Sequence, residues 1–282
     1  MHLTLDEGGT VRVWDARDGA PVARLAHDGG VVQRVIFSPD GATLATCGPT
    51  GNPVHLWETA TWRLRRRLTV PRAPAADDPQ AMWDAVLPRR AEPVELTSTE
   101  LEQLWAQLAL EDAAGAYDAV CTLAASPARA VPFLATRLSR GRPVDERRVR
   151  ELIDDLDDDR FTVRERAVKE IGEIGDAAEP YLRELLERRD PRPSPETVQR
   201  AEVLLQHFRS SAGAVADADT LRALRAVEVL ERAATPSARE TLKRLADGRA
   251  GLRVKRRAGG ALERLRPAQP LPEPASRRSA RP

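Results

Sequence analysis

The sequence predicts an α+β multidomain protein with antiparallel strands in its first quarter and an all-α region over most of the remainder. Three observations carry this. From Leu3 to Leu68 short β-branched and apolar runs are broken by Gly, Asp and Pro, roughly every 8 to 12 residues. From Val70 to Val94 periodicity disappears and prolines gather. From Thr99 to Leu265 apolar residues recur at the spacing of about 3.6 that marks amphipathic helices.

The strand runs are Thr10 to Trp14, Pro21 to Leu25, Val31 to Phe37, Ala42 to Thr46, Pro53 to Trp57 and Trp62 to Leu68. Asp18-Gly19 and Pro39-Asp40-Gly41 supply the positive and preset φ angles of tight hairpins. A repeat crosses the region. Val11-Arg12-Val13-Trp14-Asp15 returns as Val54-His55-Leu56-Trp57-Glu58, with the two tryptophans 43 residues apart. That period and its apolar-x-apolar-Trp-acid signature resemble the WD-repeat family of β-propellers. The resemblance implies that Phe37 to Gly41 joins the first two strands of a blade. It also implies that Trp14, Asp15, His27, Asp40 and Trp57 carry the structural signature.

The chain departs from that pattern at three places. Glu58 replaces the final Asp, Ala26 stands where a glycine precedes the histidine, and Gly51-Asn52-Pro53 fills a turn that usually carries an Asp. About seven strands make fewer than two four-stranded blades, whereas closure takes at least about four blades. Residues 1–69 are therefore expected to be a partial propeller, read as the end of a longer protein, a misplaced start or a truncated gene, with unpaired edges that invite association.

Residues 70–97 read as a proline-rich linker, with Trp83 and Leu87 on a short helix able to dock on a neighbour. Residues 98–266 are the helical domain, about ten helices with faces such as Leu101, Leu104 and Trp105, or Leu221, Leu224 and Val227. Thr99 to Glu102, Thr162 to Glu165 and Ser237 to Glu240 have capping-box spacing. Arg160 to Glu187 resembles one HEAT repeat, and Leu224 to Leu242 a more divergent second one. Their Arg-Ala-Val steps lie 59 residues apart, so an extra helix from Pro195 to Phe208 intervenes. The whole order is similar to the C-terminal region of bacterial WD-repeat proteins. Residues 267–282, rich in Pro and Arg, are expected to be a disordered tail.

Composition narrows function by exclusion. With 44 basic and 43 acidic residues the net charge of +1 gives no global pull toward nucleic acid. Apolar runs are too short for a membrane span, so a cytoplasmic location is expected. Cys47 and Cys121 are too few and too far apart for a disulfide framework or a cysteine metal site. Aligned as a calcium loop, Asp155, Asp157 and Asp159 are followed by Arg160 and Arg166 where Gly and Glu are required. The four histidines have no metal-ligand spacing, and no serine elbow or phosphate loop occurs.

No catalytic, cofactor or metal residue is nominated. The leading reading is a non-catalytic protein–protein interaction scaffold whose protein partner is unknown. Two alternatives stand beside it: a nucleic-acid-associated protein using a basic patch at Arg253, Lys255, Arg256 and Arg257, or a nonfunctional fragment of a longer WD-repeat protein.

Overall fold

The computed structural model describes every residue except 1, 6–8, 17–18, 29, 49–52, 70–82, 84–94, 140–145, 191, 211–217, 249 and 267–282. The expected tail, and the expected linker apart from Trp83 and residues 95–97, lie outside the described residues.

Seven strands form two antiparallel sheets. The first holds β1 (His2–Leu5), β2 (Thr10–Trp14) and β3 (Pro21–Ala26) in that order. The second holds β4 (Arg34–Phe37), β5 (Thr43–Cys47), β6 (Val54–Glu58) and β7 (Leu64–Leu68). The repeat seen in the sequence is structural: β2 corresponds to β6 and β3 to β7, each with a register shift at its tryptophan. β4 is the strand without a counterpart in the first sheet.

The sheets pack face to face. Val11, Val13 and Leu25 of the first lie against Leu44, Trp57 and Trp62 of the second, with Val32 between them. Every residue of β5 and β6 is buried, because the far face of the second sheet is covered as well. Trp83 fills part of that face, packed on Ala45, Cys47, Val54 and Leu56, and its indole N–H donates to the Phe37 carbonyl at 3.0 Å. The tryptophan expected to dock thus does so on the sheets. Among the described residues no closed barrel forms.

Ten α-helices follow among the described residues: α1 (Ser98–Gln107), α2 (Ala113–Ala125), α3 (Pro127–Ser139), α4 (Glu146–Asp155), α5 (Phe161–Ile174), α6 (Glu179–Glu187), α7 (Pro195–Ser210), α8 (Ala218–Ala233), α9 (Pro236–Asp247) and α10 (Leu252–Arg264). The capping box at the first helix is Thr97–Glu100, two residues before the spacing match at Thr99. Thr235 caps α9 through the Ala238 amide, and Arg160 before α5 makes no side-chain cap. The predicted box at α5 is therefore absent, and the cap of α9 lies at Thr235, two residues before the spacing match at Ser237. Thr-x-x-Glu spacing recurs inside helices, where the hydroxyl has no free amide to accept from.

The helices divide into two cores, not one row in chain order. α1–α3 and α8–α10 share Leu101, Leu123, Leu134, Val227, Leu230 and Leu242. α4–α7 enclose Leu152, Leu156, Ile171, Leu182 and Leu205. The segment with the best HEAT likeness lies in this second core, which is inserted between the two halves of the first. No helix among the described residues is by itself long and apolar enough to cross a membrane.

Candidate functional site

The predicted signature residues fall at the sheet pair. Trp57 donates its indole N–H to Thr46 Oγ1 at 2.9 Å, buried between the sheets. Trp14 repeats that bond to Thr4 at 2.8 Å on the outer face of the first sheet. His27 is buried, and its Nε2 lies 3.2 Å from the Pro53 carbonyl, a backbone acceptor in the turn where the sequence lacks an Asp. Its ring meets His55 edge-on at 4.1 Å. Asp28 pairs with His55 at 2.8 Å and with Arg67, tying the loop after β3 to the second sheet. Burial, then the neighbouring His27, hold His55 below its ordinary range. Asp15 is buried at the end of β2.

Asp40 has two roles. It accepts from Ser38 Oγ and from the Ala42 amide, fixing the β4–β5 hairpin. It also forms an ion pair at 2.8 Å with Arg257, which donates to the Asp40 carbonyl as well. Arg257 is thereby withdrawn from the candidate basic patch: its guanidinium joins α10 to the sheet. Arg264 pairs with Glu231 and Arg266 with Glu263, so much of the charge of α10 is internally matched. Arg256 remains exposed, while Arg253 and Lys255 are half-buried.

The most concentrated chemistry was not predicted. At the junction of the second sheet with α2 and α8, the side chains of Glu58, Arg65, Arg225 and Glu228 are no more than 2% exposed. Arg225, Glu228 and Arg232 lie three and four residues apart, so they share one face of α8. Arg225 grips Glu58 with two bonds of 2.9 and 2.7 Å, and its third nitrogen donates to the carbonyls of Leu108 and Leu110 just past the end of α1. Arg65 bridges Glu58 at 2.8 Å and Glu228 at 2.9 Å, and also reaches Thr43. Arg232 reaches Glu228 at 2.8 Å. The Tyr117 ring lies between Arg65 and Arg232, with guanidinium carbons 5.1 and 5.0 Å from its centroid.

This is a fork-to-carboxylate network in which each charge is paired. Burial alone would raise the Glu228 carboxyl, but Arg65 and Arg232 bring it down to about 2. Glu58 is likewise held low against burial by Arg225 and Arg65. Burial pushes the Tyr117 hydroxyl and the Cys121 thiol up. Locked carboxylates and raised nucleophiles suit holding, not proton transfer at neutral pH. Exposed pairs flank the core: Arg63 with Glu111, and Arg66 with Asp118.

The signals available in the sequence were indirect. Glu58 stood out as a departure from the repeat, and Arg225 as a step in a helical repeat. The acidic corner of Asp154 to Asp159 forms local bonds, with Asp157 accepting from Ser194 and Thr197 and Asp158 from Arg160. No group of three ligating side chains able to hold a metal occurs among the described residues.

Over 65 residues the chain is 40% identical to the WD repeat-containing protein VIP3 of Arabidopsis thaliana. The match takes in 23% of this chain and 20% of that protein, so the chain spans about a fifth of the length of this relative. No protein-family profile matches the chain. The similarity and the mixed strand and helix architecture fit WD-repeat sheets joined to a helical domain.

Proposed function

We propose that the chain is a non-catalytic protein-interaction scaffold in the cytoplasm, with WD-type sheets and a HEAT-like helical surface. The observation that carries this reading is the sealed junction of Glu58, Arg65, Arg225 and Glu228. It couples sheets and helices into one support, and surfaces fixed in advance lose less freedom on binding. The likeness to a WD repeat-containing protein agrees with protein partners.

Cross-linking of the tagged full chain in cells, followed by mass-spectrometric mapping, tests it. A recurrent protein cross-linked to the sheets or to exposed helix faces is the expected result. Retention of nucleic acid that weakens steeply with salt, with no recurrent protein, would instead favour the basic helix α10 and overturn the scaffold reading.

A further inference from the structure

The two sheets meet at a cluster of titratable side chains to which each sheet contributes two. His27 and Asp28 leave β3 in a loop that stays bound to the first sheet. The His27 amide donates to the Gly9 carbonyl at 3.2 Å. Gly9, at φ +78°, lies so close to Gly30 that a Cβ there would sit 2.0 Å from the Gly30 carbonyl oxygen. The second sheet contributes His55 on β6 and Arg67 directly opposite on β7. Across the gap, His27 Nε2 donates to the Pro53 carbonyl at 3.2 Å, and Asp28 reaches His55 at 2.8 Å as well as Arg67.

His55 is the vulnerable member. Its side chain is 1% exposed, with the rings of His27 and Trp57 edge-on to it at 4.1 and 5.7 Å. Its Nε2 faces the Asp28 carboxylate and, at 3.0 Å, Arg67 Nε, whereas its buried Nδ1 meets no hydrogen-bond partner among the described residues. With one proton on Nε2, directed at Asp28, the neutral ring leaves only a lone pair at Nδ1. A second proton turns Nδ1 into a charged donor buried with nothing to receive it. It also sets an imidazolium beside Arg67 and leaves the Asp28 carboxylate shared by two cations. Among the described residues, the charged or titratable groups facing the ring are His27 and Asp28 from the first sheet and Arg67 from β7, while Thr46 opposite on β5 is uncharged. Burial first and His27 next hold the ring below its ordinary range, with Asp28 opposing them.

We propose that this cluster is a proton-operated latch: protonation of His55 admits water between the sheets, so mild acid releases the first sheet from the second while the helical domain stays folded. The other side of the second sheet does not respond in the same range. Its carboxylates are held down by arginines, Glu228 at about 2, so the junction with the helices stays closed where the latch opens. The latch is independent of the scaffold reading and stands or falls without it.

Amide exchange of the full chain at pH 7.5 and 5.5, expressed as protection factors so that the intrinsic pH dependence drops out, tests it. An imidazole reached by water ionises near 6.5, so it is about one-tenth protonated at the higher pH and about nine-tenths at the lower. Opening is thereby favoured about tenfold. Protection of residues 10–14 and 22–26 is expected to fall by that factor while that of α8 and α9 is unchanged. His55→Gln, which cannot ionise in this range, should abolish the change. Unchanged protection in the parent, an equal loss in the helices, or the same loss persisting in His55→Gln would each overturn the proposal. Should His55→Gln fail to fold, the carbon-bound ring protons of His55 in the parent supply the second measurement. Their titration by magnetic resonance should run in step with the loss of protection in β2. A ring that titrates through this range with β2 and β3 unaffected would equally overturn the latch.

Discussion

Arg225→Leu isolates the contribution of the sheet–helix junction. The substitution preserves an apolar stem but removes a guanidinium that makes two bonds to Glu58 and two to the carbonyls of Leu108 and Leu110. Glu58 keeps Arg65 and Thr61, so it is not fully orphaned. Removing one partner of a buried pair is worth about 3–5 kcal/mol. At roughly 2–4 °C per kcal/mol for a protein of this size, the expected fall in Tm is about 6–20 °C. Arg63→Leu, whose partner Glu111 is 64% exposed, should change stability by no more than about 1 kcal/mol. The tryptophans make the assay specific. Trp14, Trp57, Trp62 and Trp83 lie in or on the sheets and only Trp105 in the helices, so fluorescence reports the sheets and far-ultraviolet dichroism the helices. The two transitions should coincide in the parent and separate in Arg225→Leu. A loss below about 1 kcal/mol with coincident transitions would refute the claim that this network couples the halves.

The acid limb follows from the same groups. The Glu228 carboxyl lies at about 2 against an ordinary 4.5, so its contribution is complete above about 4.5 and is lost as pH falls toward 2. Glu228→Gln should flatten stability measured across that window. His55 is held below its ordinary 6.5, so the unfolded chain binds the proton more readily and stability should fall as pH drops below about 6.5. Chemical unfolding at pH 7.5 and 5.5 should show that loss in the parent and less of it in His55→Gln. Trp83→Ala removes a nearly fully buried indole and should cost about 3–5 kcal/mol by calorimetry. A small loss would place its docking on the sheet in error.

Local periodicity made the strands, the repeat and most helices legible, because alternation and a spacing of about 3.6 are written in neighbouring residues. Trp83 was readable as a docking residue because a large aromatic in a proline-rich stretch needs somewhere to bury its surface. Arg65 was not readable. It sits among Arg63, Arg66 and Arg67, which are 51%, 42% and 54% exposed, and it turns inward because the register shifts between Leu56 and Trp57. Nothing local distinguishes the one buried arginine from its neighbours. Its partner Glu228 is 163 residues away, as Arg225 is 167 from Glu58, and pairings of that range depend on how the helices are ordered in space. That order was hidden too. The apolar faces of α4–α7 resemble those of their neighbours, so no pattern in them shows that the four helices leave one core to build another.

The structure also explains how so short a stretch of sheet can be stable. An antiparallel sheet tolerates one wet face, and the first sheet has one. The second sheet has none: the first sheet covers one side, and Trp83 with α2 and α8 covers the other. The helical module thus occupies the side on which a further sheet would pack, and the acidic position ending the repeat, Glu58, is turned to helix-borne Arg225. Stability should therefore decline outward from the helices. Amides of β5 and β6 are expected to exchange only with global unfolding, whereas those of β1–β3 exchange through a smaller opening that separates the two sheets. Native-state exchange at increasing denaturant distinguishes the two. Merging of all seven strands into one isotherm would mean that the first sheet is held as firmly as the second, and that the helices are not the source of the gradient.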